Sequence, residues 1–173
     1  MSEAGKRLTH LDEHGRARMV DIGEKAITYR CCVARCEVRM ARHTLAAITA
    51  GEVKKGDVLA TARIAGIQAA KRTDEWIPLA HPLPLDSVEV ILTPDEAACV
   101  VRVEARVQTH WRTGVEMEAL VAASAAGLTI YDMCKAIDRE MSLENVRLAA
   151  KTGGKSGTFV RKGEEGLTLE GGG

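Results

Sequence analysis

The sequence predicts an α+β fold in one domain, and three stretches carry that prediction. Residues 26–40 and 98–109 alternate apolar and polar side chains, the period-two pattern of half-buried strands. The run from Thr113 to Asp138, TGVEMEALVAASAAGLTIYDMCKAID, is long, rich in apolar residues and free of proline, which marks a helix. The other elements fall into place around these three.

Residues 1–22 are polar and charged without a sustained period and are expected to form a mobile N-terminal arm that orders on a neighbour. His10 and His14 stand at i,i+4 in it, but no third ligand accompanies them, so no metal site is expected. A single domain is expected over 23–157. From Ala26 to Met40 the apolar positions change parity, Ile27, Tyr29, Cys31 and Val33 on odd numbers and Cys36, Val38 and Met40 on even ones. Such a switch predicts a bulge near Ala34–Arg35. Cys31, Cys32 and Cys36 then read as strand side chains rather than as a metal cluster.

His43–Ala50 reads as a short helix stopped by Gly51, and Asp57 as the opening of a second helix that ends about Lys71. The turn Lys54-Lys55-Gly56-Asp57 sets basic side chains and free amides together at a helix N-terminus, where either an anion or only solvent can sit. Ile77–Leu85 concentrates prolines and is expected as a stiff apolar loop presenting His81, a histidine open to a structural or a functional reading. Val88–Thr93 and Ala98–Thr109, joined by Pro94-Asp95-Glu96, form an antiparallel hairpin, and Val146–Ala150 makes a last short strand. The order β–α–β–β–α–β, with an additional helix in the first crossover, is the ferredoxin-like arrangement of an antiparallel sheet. Residues 158–173 are expected as a disordered C-terminal tail.

Chemistry concentrates at the two ends of the long helix. At about 100° per residue, Asp132 and Lys135 share a face one turn apart, so the carboxylate can hold and tune the ammonium. Spacing alone also fits an exposed ion pair, while the neighbours Tyr131, Met133 and Cys134 favour the edge of something buried. Thr113-Gly114-Val115-Glu116 fits a capping box, which would give Glu116 a structural task. Glu118 points about 200° away from Glu116 and has no such task. Fourteen helical residues separate Glu118 from Asp132, about 21 Å, too far for both to touch one small reacting centre. Another chain or loop must therefore complete each site, and an oligomer with shared sites follows.

Composition narrows the function further. Lysine plus arginine equals aspartate plus glutamate at 24 each, so bulk attraction to nucleic acid or an acidic membrane is not expected. Aromatic residues make up 3% of the chain, too few for base-stacking platforms. Five cysteines and no signal-like apolar segment suggest a reducing, cytoplasmic setting. Lys151-Thr152-Gly153-Gly154-Lys155-Ser156-Gly157 superficially suggests a nucleotide-phosphate loop, but Ala149 stands where that motif needs glycine and no long helix follows. A glycine-rich basic turn touching a phosphate is still compatible with it.

Six blocks occur in order over residues 8–157: LTHLDEHGRARMVDIGEKAITYR, KKGDVLATARIAGIQAAKRT, IPLAHPLPL, RTGVEMEAL, LTIYDMCKAID and RLAAKTGGKSG. Together they resemble the cyclic pyranopterin monophosphate synthase family, the C protein of the early molybdenum-cofactor pathway. The resemblance implies a lyase that converts (8S)-3′,8-cyclo-7,8-dihydroguanosine 5′-triphosphate to cyclic pyranopterin monophosphate and diphosphate. It implies no cofactor, and a homohexamer built as a trimer of dimers with active sites at subunit interfaces. Carried over residue by residue, it makes Asp132 and Lys135 the acid–base centre, with Lys55, His81, Glu116 and Glu118 around the substrate. Leu79, Ala80, His81, Met117 and Glu118 would touch the ligand, and Arg30, Arg112, Lys71, Lys151 and Lys155 would meet its phosphates. Ring opening and reclosing needs several proton transfers, which suits a lysine brought near neutrality by burial beside a carboxylate. Loss of diphosphate needs cations on the leaving oxygens.

Two departures qualify the resemblance. Ala80 stands where many members carry cysteine, so a thiol there is not essential. Gly127 interrupts the long helix at about 1 kcal/mol relative to alanine, which suggests close packing of a neighbour's backbone. A non-catalytic nucleotide- or pterin-binding oligomer is the alternative, and the joint presence of Asp132, Lys135, His81 and both glutamates argues against it. An RNA-binding module of the same topology would need exposed aromatic residues on its strands.

Overall fold

A computed structural model describes residues 14–169. The elements run β1 (Thr28–Arg39), α1 (Arg42–Thr49), α2 (Val58–Ala70), α3 (Thr73–Trp76), β2 (Ser87–Asp95), β3 (Val100–Trp111), α4 (Glu116–Cys134), β4 (Ser142–Thr152) and β5 (Phe159–Val160). The sheet is antiparallel throughout, in the order β2-β3-β1-β4-β5. One α+β unit results, with α1, α2 and α4 contributing to a single large core on one face of the sheet.

Local chemistry accounts for the helix boundaries. Asp57 caps α2 by accepting the Ala60 amide at 2.9 Å, as its position before an apolar run predicts. The two long helices press closely together where small residues line both: a Cβ on Gly66 would lie 2.9 Å from the Ala122 carbonyl oxygen of α4. Only glycine allows that approach. Gly127 has a related explanation, which differs from the expected neighbour's backbone. A Cβ there would run into Leu143 of β4, with Val38 and Cys36 of β1 close behind, so the glycine fits α4 onto this chain's own sheet. α3 is a single turn without periodicity, and the sequence gives it no signal.

Two expectations need correction. β1 pairs with β3 in one uninterrupted register from Thr28↔Trp111 to Arg39↔Val100, so no bulge interrupts that pairing. The irregularities lie in the pairing with β4, between Val33 and Ala34 and again between Arg35 and Glu37, and in both the extra residue belongs to β4. Apolar residues change parity along β1 because both faces of its first half are covered. Cys32, Ala34, Cys36 and Val38 enter the helix-side core, while Cys31 and Val33 are equally buried on the opposite face.

The second correction concerns residues 158–169, expected as part of a disordered tail. β5 pairs with β4, Ala150 opposite Val160, and the following segment crosses the face away from the helices. Glu164 is buried there between two guanidinium groups, accepting from Arg35 of β1 and from Arg147 Nε of β4 at 2.8 Å. Farther on, Arg106 donates to the Thr168 carbonyl and the Tyr29 hydroxyl to that of Leu169. Mostly polar composition concealed this because the anchoring uses paired charges rather than apolar burial. Of the expected arm over 1–22, residues 1–13, including His10, lie outside the described residues.

Candidate active site

α4 is the carrier of the candidate site, and its two ends hold different chemistry. At the C-terminal end Asp132 sits between two ammonium groups. Lys135 Nζ lies 2.7 Å from Asp132 Oδ1, and Lys55 Nζ lies 3.0 Å from Oδ2. Lys55 also donates to the Asp132 backbone carbonyl at 2.7 Å, one of the helix-end carbonyls with no partner inside the helix. The turn before α2 thus brings Lys55 to α4, since the two helices run antiparallel.

This cluster faces solvent in the single chain: the side chains of Asp132 and Lys135 are 58% and 53% exposed. Hydrogen bonds from Lys135 and Lys55 hold the Asp132 carboxyl below the ordinary carboxylate range. The reciprocal bond to Asp132 holds Lys135 above the ordinary lysine value. A lysine brought toward neutrality by burial, as expected from the sequence, is therefore not what one chain provides. Ammonium desolvation would have to come from whatever else covers this end.

At the N-terminal end the capping box is absent. The cap position is Val115, no side chain closes it, and Glu116 instead accepts from Lys151 of β4 at 2.8 Å. An ammonium reaching over from the neighbouring strand outcompetes a free amide for the carboxylate. Glu118, two residues farther along the helix, is 4% exposed. Burial pushes its carboxyl up to about 7, helped by the negative charges of Glu116 and Asp74. It is poised to exchange a proton near neutral pH. Asp74, on α3, was not singled out from sequence.

Beside this end lies a cavity of about 560 Å³ lined by Arg30, Arg112, Thr113, Gly114, Gly154 and Lys155, among others. Arg30 is held by the Trp111 carbonyl at 3.1 Å and that of Arg112 at 3.4 Å, so its guanidinium is fixed in place. Gly153 and Gly154 take left-handed conformations, φ 94° and 71°. Side chains on them would collide with Tyr29 and Arg30, so glycines let the basic turn close onto the arginine. Arg112 Nε and Thr28 Oγ1, both buried, have no hydrogen-bond partner among the described residues. With the guanidinium groups of Arg30 and Arg112, the ammonium groups of Lys25 and Lys155 and an unused donor against the one carboxylate of Glu24, the cavity suits a polyanion.

The remaining expected residues divide between places. Leu79, Ala80 and His81 lie half-buried in the loop after α3. His81 donates from Nε2 to the Val20 carbonyl at 2.7 Å. Among the described residues, that hydrogen bond goes to the N-terminal segment rather than to any expected catalytic group. Met117 is exposed beside Glu118, and Lys71 is exposed at the C-terminal cap of α2. One chain thus gathers Arg30, Arg112, Lys155, Lys151, Glu116 and Glu118 at one end of α4. It gathers Lys55, Asp132 and Lys135 at the other, and does not bring the two groups together.

The thiols take no part in either cluster. Cys31, Cys32, Cys36 and Cys134 are buried and free, and burial pushes Cys32 and Cys36 up to about 12. Among the described residues no group of His, Cys, Asp or Glu converges to hold a metal ion, and no helix is long and apolar enough to cross a membrane.

The MoaC family model matches residues 19–154. Three relatives, each named cyclic pyranopterin monophosphate synthase, are similar over nearly their whole length. That of Roseiflexus sp. (strain RS-1) is 62% identical over 153 residues, covering 88% of this chain and 97% of the relative. The Pelotomaculum thermopropionicum protein is 58% identical over 161 residues, 93% and 95% of the two chains, and one from Chloroflexus aurantiacus is 57% identical over 161, 93% and 99%. The matched span takes in α4 from end to end together with the turn that brings Lys55 to it and the strands that carry Arg30 and Lys151, and the chain belongs to the MoaC family.

Proposed function

We propose that this chain is a cyclic pyranopterin monophosphate synthase, a lyase of molybdenum cofactor biosynthesis. Its substrate is (8S)-3′,8-cyclo-7,8-dihydroguanosine 5′-triphosphate, and its products are cyclic pyranopterin monophosphate and diphosphate. The observation that carries this reading is the near full-length similarity, 57% to 62%, to relatives of that name.

The residues fit the chemistry. Arg30, Arg112 and Lys155, with Lys151 at the same end of α4 and Lys71 from the C-terminal cap of α2, receive the triphosphate and stabilise charge on the leaving diphosphate oxygens. Lys135 gives and retakes protons during ring opening and closure, with Asp132 and Lys55 orienting it. Glu118, near neutrality, supplies a second proton site, and Glu116 and His81 orient the ligand beside Leu79, Ala80 and Met117. No cofactor enters this scheme.

Assembly completes the site. The ends of α4 are about 21 Å apart, beyond the reach of one small substrate, so each site joins the acid–base end of one subunit to the cationic end of another. Exposed Trp76 and Leu128, which border a hollow of about 500 Å³ that includes Asp132, offer apolar surface to such a neighbour. A homohexamer, arranged as a trimer of dimers in the cytoplasm, meets this requirement. The four long strands and their connections favour a ferredoxin-like topology within a single catalytic domain that takes in residues 158–169 as well as 23–157, and Val20 on His81 suggests that the N-terminal arm reaches the site.

Incubating wild type and Lys135→Ala with the cyclised GTP intermediate tests the reading, with diphosphate and pterin product measured together. Product from wild type and almost none from the variant is expected. Equal product from both removes Lys135 from the mechanism, and none from wild type favours the alternative of a non-catalytic pterin-binding oligomer.

A further inference from the structure

The turn that leaves α4 contains a buried carboxylate that no step above uses. Asp138 is 8% exposed. Its Oδ2 accepts from the Ala41 amide at 2.9 Å and from the Thr44 hydroxyl at 3.0 Å, and its Oδ1 accepts from the Glu140 amide at 3.1 Å. Ala41 is the N-cap of α1 and carries no capping side chain of its own. Asp138 therefore caps α1 from a distant part of the chain, placing negative charge where the helix exposes free N–H groups.

Chain connectivity turns this cap into a joint. Lys135 is the C-cap residue of α4, and the Ile137 and Asp138 amides both fold back onto the Cys134 carbonyl, at 2.9 and 3.1 Å. Asp138 thus lies one tight turn beyond Lys135. On the other side, α1 ends at Thr49 and the chain reaches Lys55 through a short turn in which Val53 is buried and the Gly56 amide bonds the Val53 carbonyl at 2.9 Å. Lys135 and Lys55 come from separate segments, and both bond Asp132. Asp138 ties those segments together through two bonds, and His43 Nε2 on the Ile137 carbonyl at 3.4 Å adds a third.

We propose that Asp138 is a positioning residue: it locks the exit of α4 to the start of α1 and so holds Lys55 and Lys135 in register on Asp132. It touches neither the substrate nor the reacting atoms. The inference rests on the synthase reading, in which Lys135 exchanges protons while Asp132 and Lys55 orient it. Misplacing a reacting group by about 1 Å can cost about 10²-fold in rate while binding elsewhere is untouched. Groups that meet the triphosphate sit at the far end of α4, so a local shift at this joint should leave them alone.

The test compares Asp138→Asn, Thr44→Val and Thr44→Ser with wild type in steady-state turnover of the cyclised GTP intermediate, with thermal unfolding of each protein in parallel. Wild-type turnover establishes the reading independently of the variants. Asp138→Asn keeps the shape but places an amide donor against one of the groups it formerly accepted from. A kcat lowered by about 10²-fold at unchanged KM is expected. Thr44→Val should lower kcat less, and Thr44→Ser should restore it by returning the hydroxyl to Oδ2. An active wild type together with unchanged kcat in Asp138→Asn overturns the inference. So does a rise in KM matching the fall in kcat, since that would mean a general loosening of the fold. Should Asp138→Asn not fold, the Thr44 pair decides alone: equal kcat in Thr44→Val and Thr44→Ser overturns the joint.

Discussion

Replacing Glu118 by glutamine should stabilise the protein above neutral pH while damaging its activity. The carboxyl is buried, and its pKa moves from 4.5 to about 7. Because the folded chain holds this proton more tightly than the unfolded chain does, stability falls as pH rises through that interval. Below the lower value both states are protonated and the group contributes nothing. Above the upper value both are ionised, and the native state bears the whole desolvation penalty, about 3 kcal/mol at 1.36 kcal/mol per pKa unit. Glutamine has nearly the same shape and no charge to desolvate, so Glu118→Gln should gain up to about 3 kcal/mol at pH 8, or about 6 to 12 °C in Tm, and almost nothing at pH 4. Urea or thermal unfolding of both proteins at the two pH values measures it. If the variant has no advantage at pH 8, a cation meets Glu118 in the assembled protein and the desolvation argument fails. Turnover should fall in the same variant, since glutamine cannot exchange the proton.

Three further outcomes follow from particular contacts. Gly127→Ala would gain about 1 kcal/mol of helix propensity yet force Leu143 aside, at a cost of about 1 to 3 kcal/mol, and urea unfolding should show net destabilisation. Gly154→Ala puts a methyl group into the Arg30 guanidinium at a left-handed position, so calorimetry should show weaker binding of inorganic diphosphate, and kcat should fall as well, since Arg30 also meets the charge on the leaving diphosphate. Glu164→Gln removes the charge between Arg35 and Arg147, and amide hydrogen exchange should then quicken over 161–169 while β3 stays protected.

The sequence was most readable where one local rule decides the structure. Asp57 caps α2 as its position demands, the hairpin of β2 and β3 follows from simple alternation, and the 3.6-residue period of α4 places Asp132 under Lys135. Legibility ended where a distant partner intervenes. Thr113 and Glu116 form a persuasive capping box until Lys151 claims the glutamate from another strand. The parity change in β1 reads as an extra residue in that strand, whereas the irregularity near Ala34–Arg35 belongs to β4 and Glu164 and its neighbours lie over the second face. Asp138 gives no local sign of its task, since Ala41 and Thr44 lie nearly a hundred residues earlier. Lys135 was placed correctly beside Asp132, but its solvent exposure depends on tertiary packing that spacing does not encode.

In the shared-site assembly proposed above, a defect at either end of α4 disables only half of each site. Subunits disabled at opposite tips, Lys135→Ala in one population and Arg112→Ala in another, should each be inactive alone. When denatured together and reassembled, they should regain part of the wild-type rate, because some junctions would pair two undamaged tips. Recovery on mixing, which no monomeric catalyst could show, is the practical signature of the length of α4.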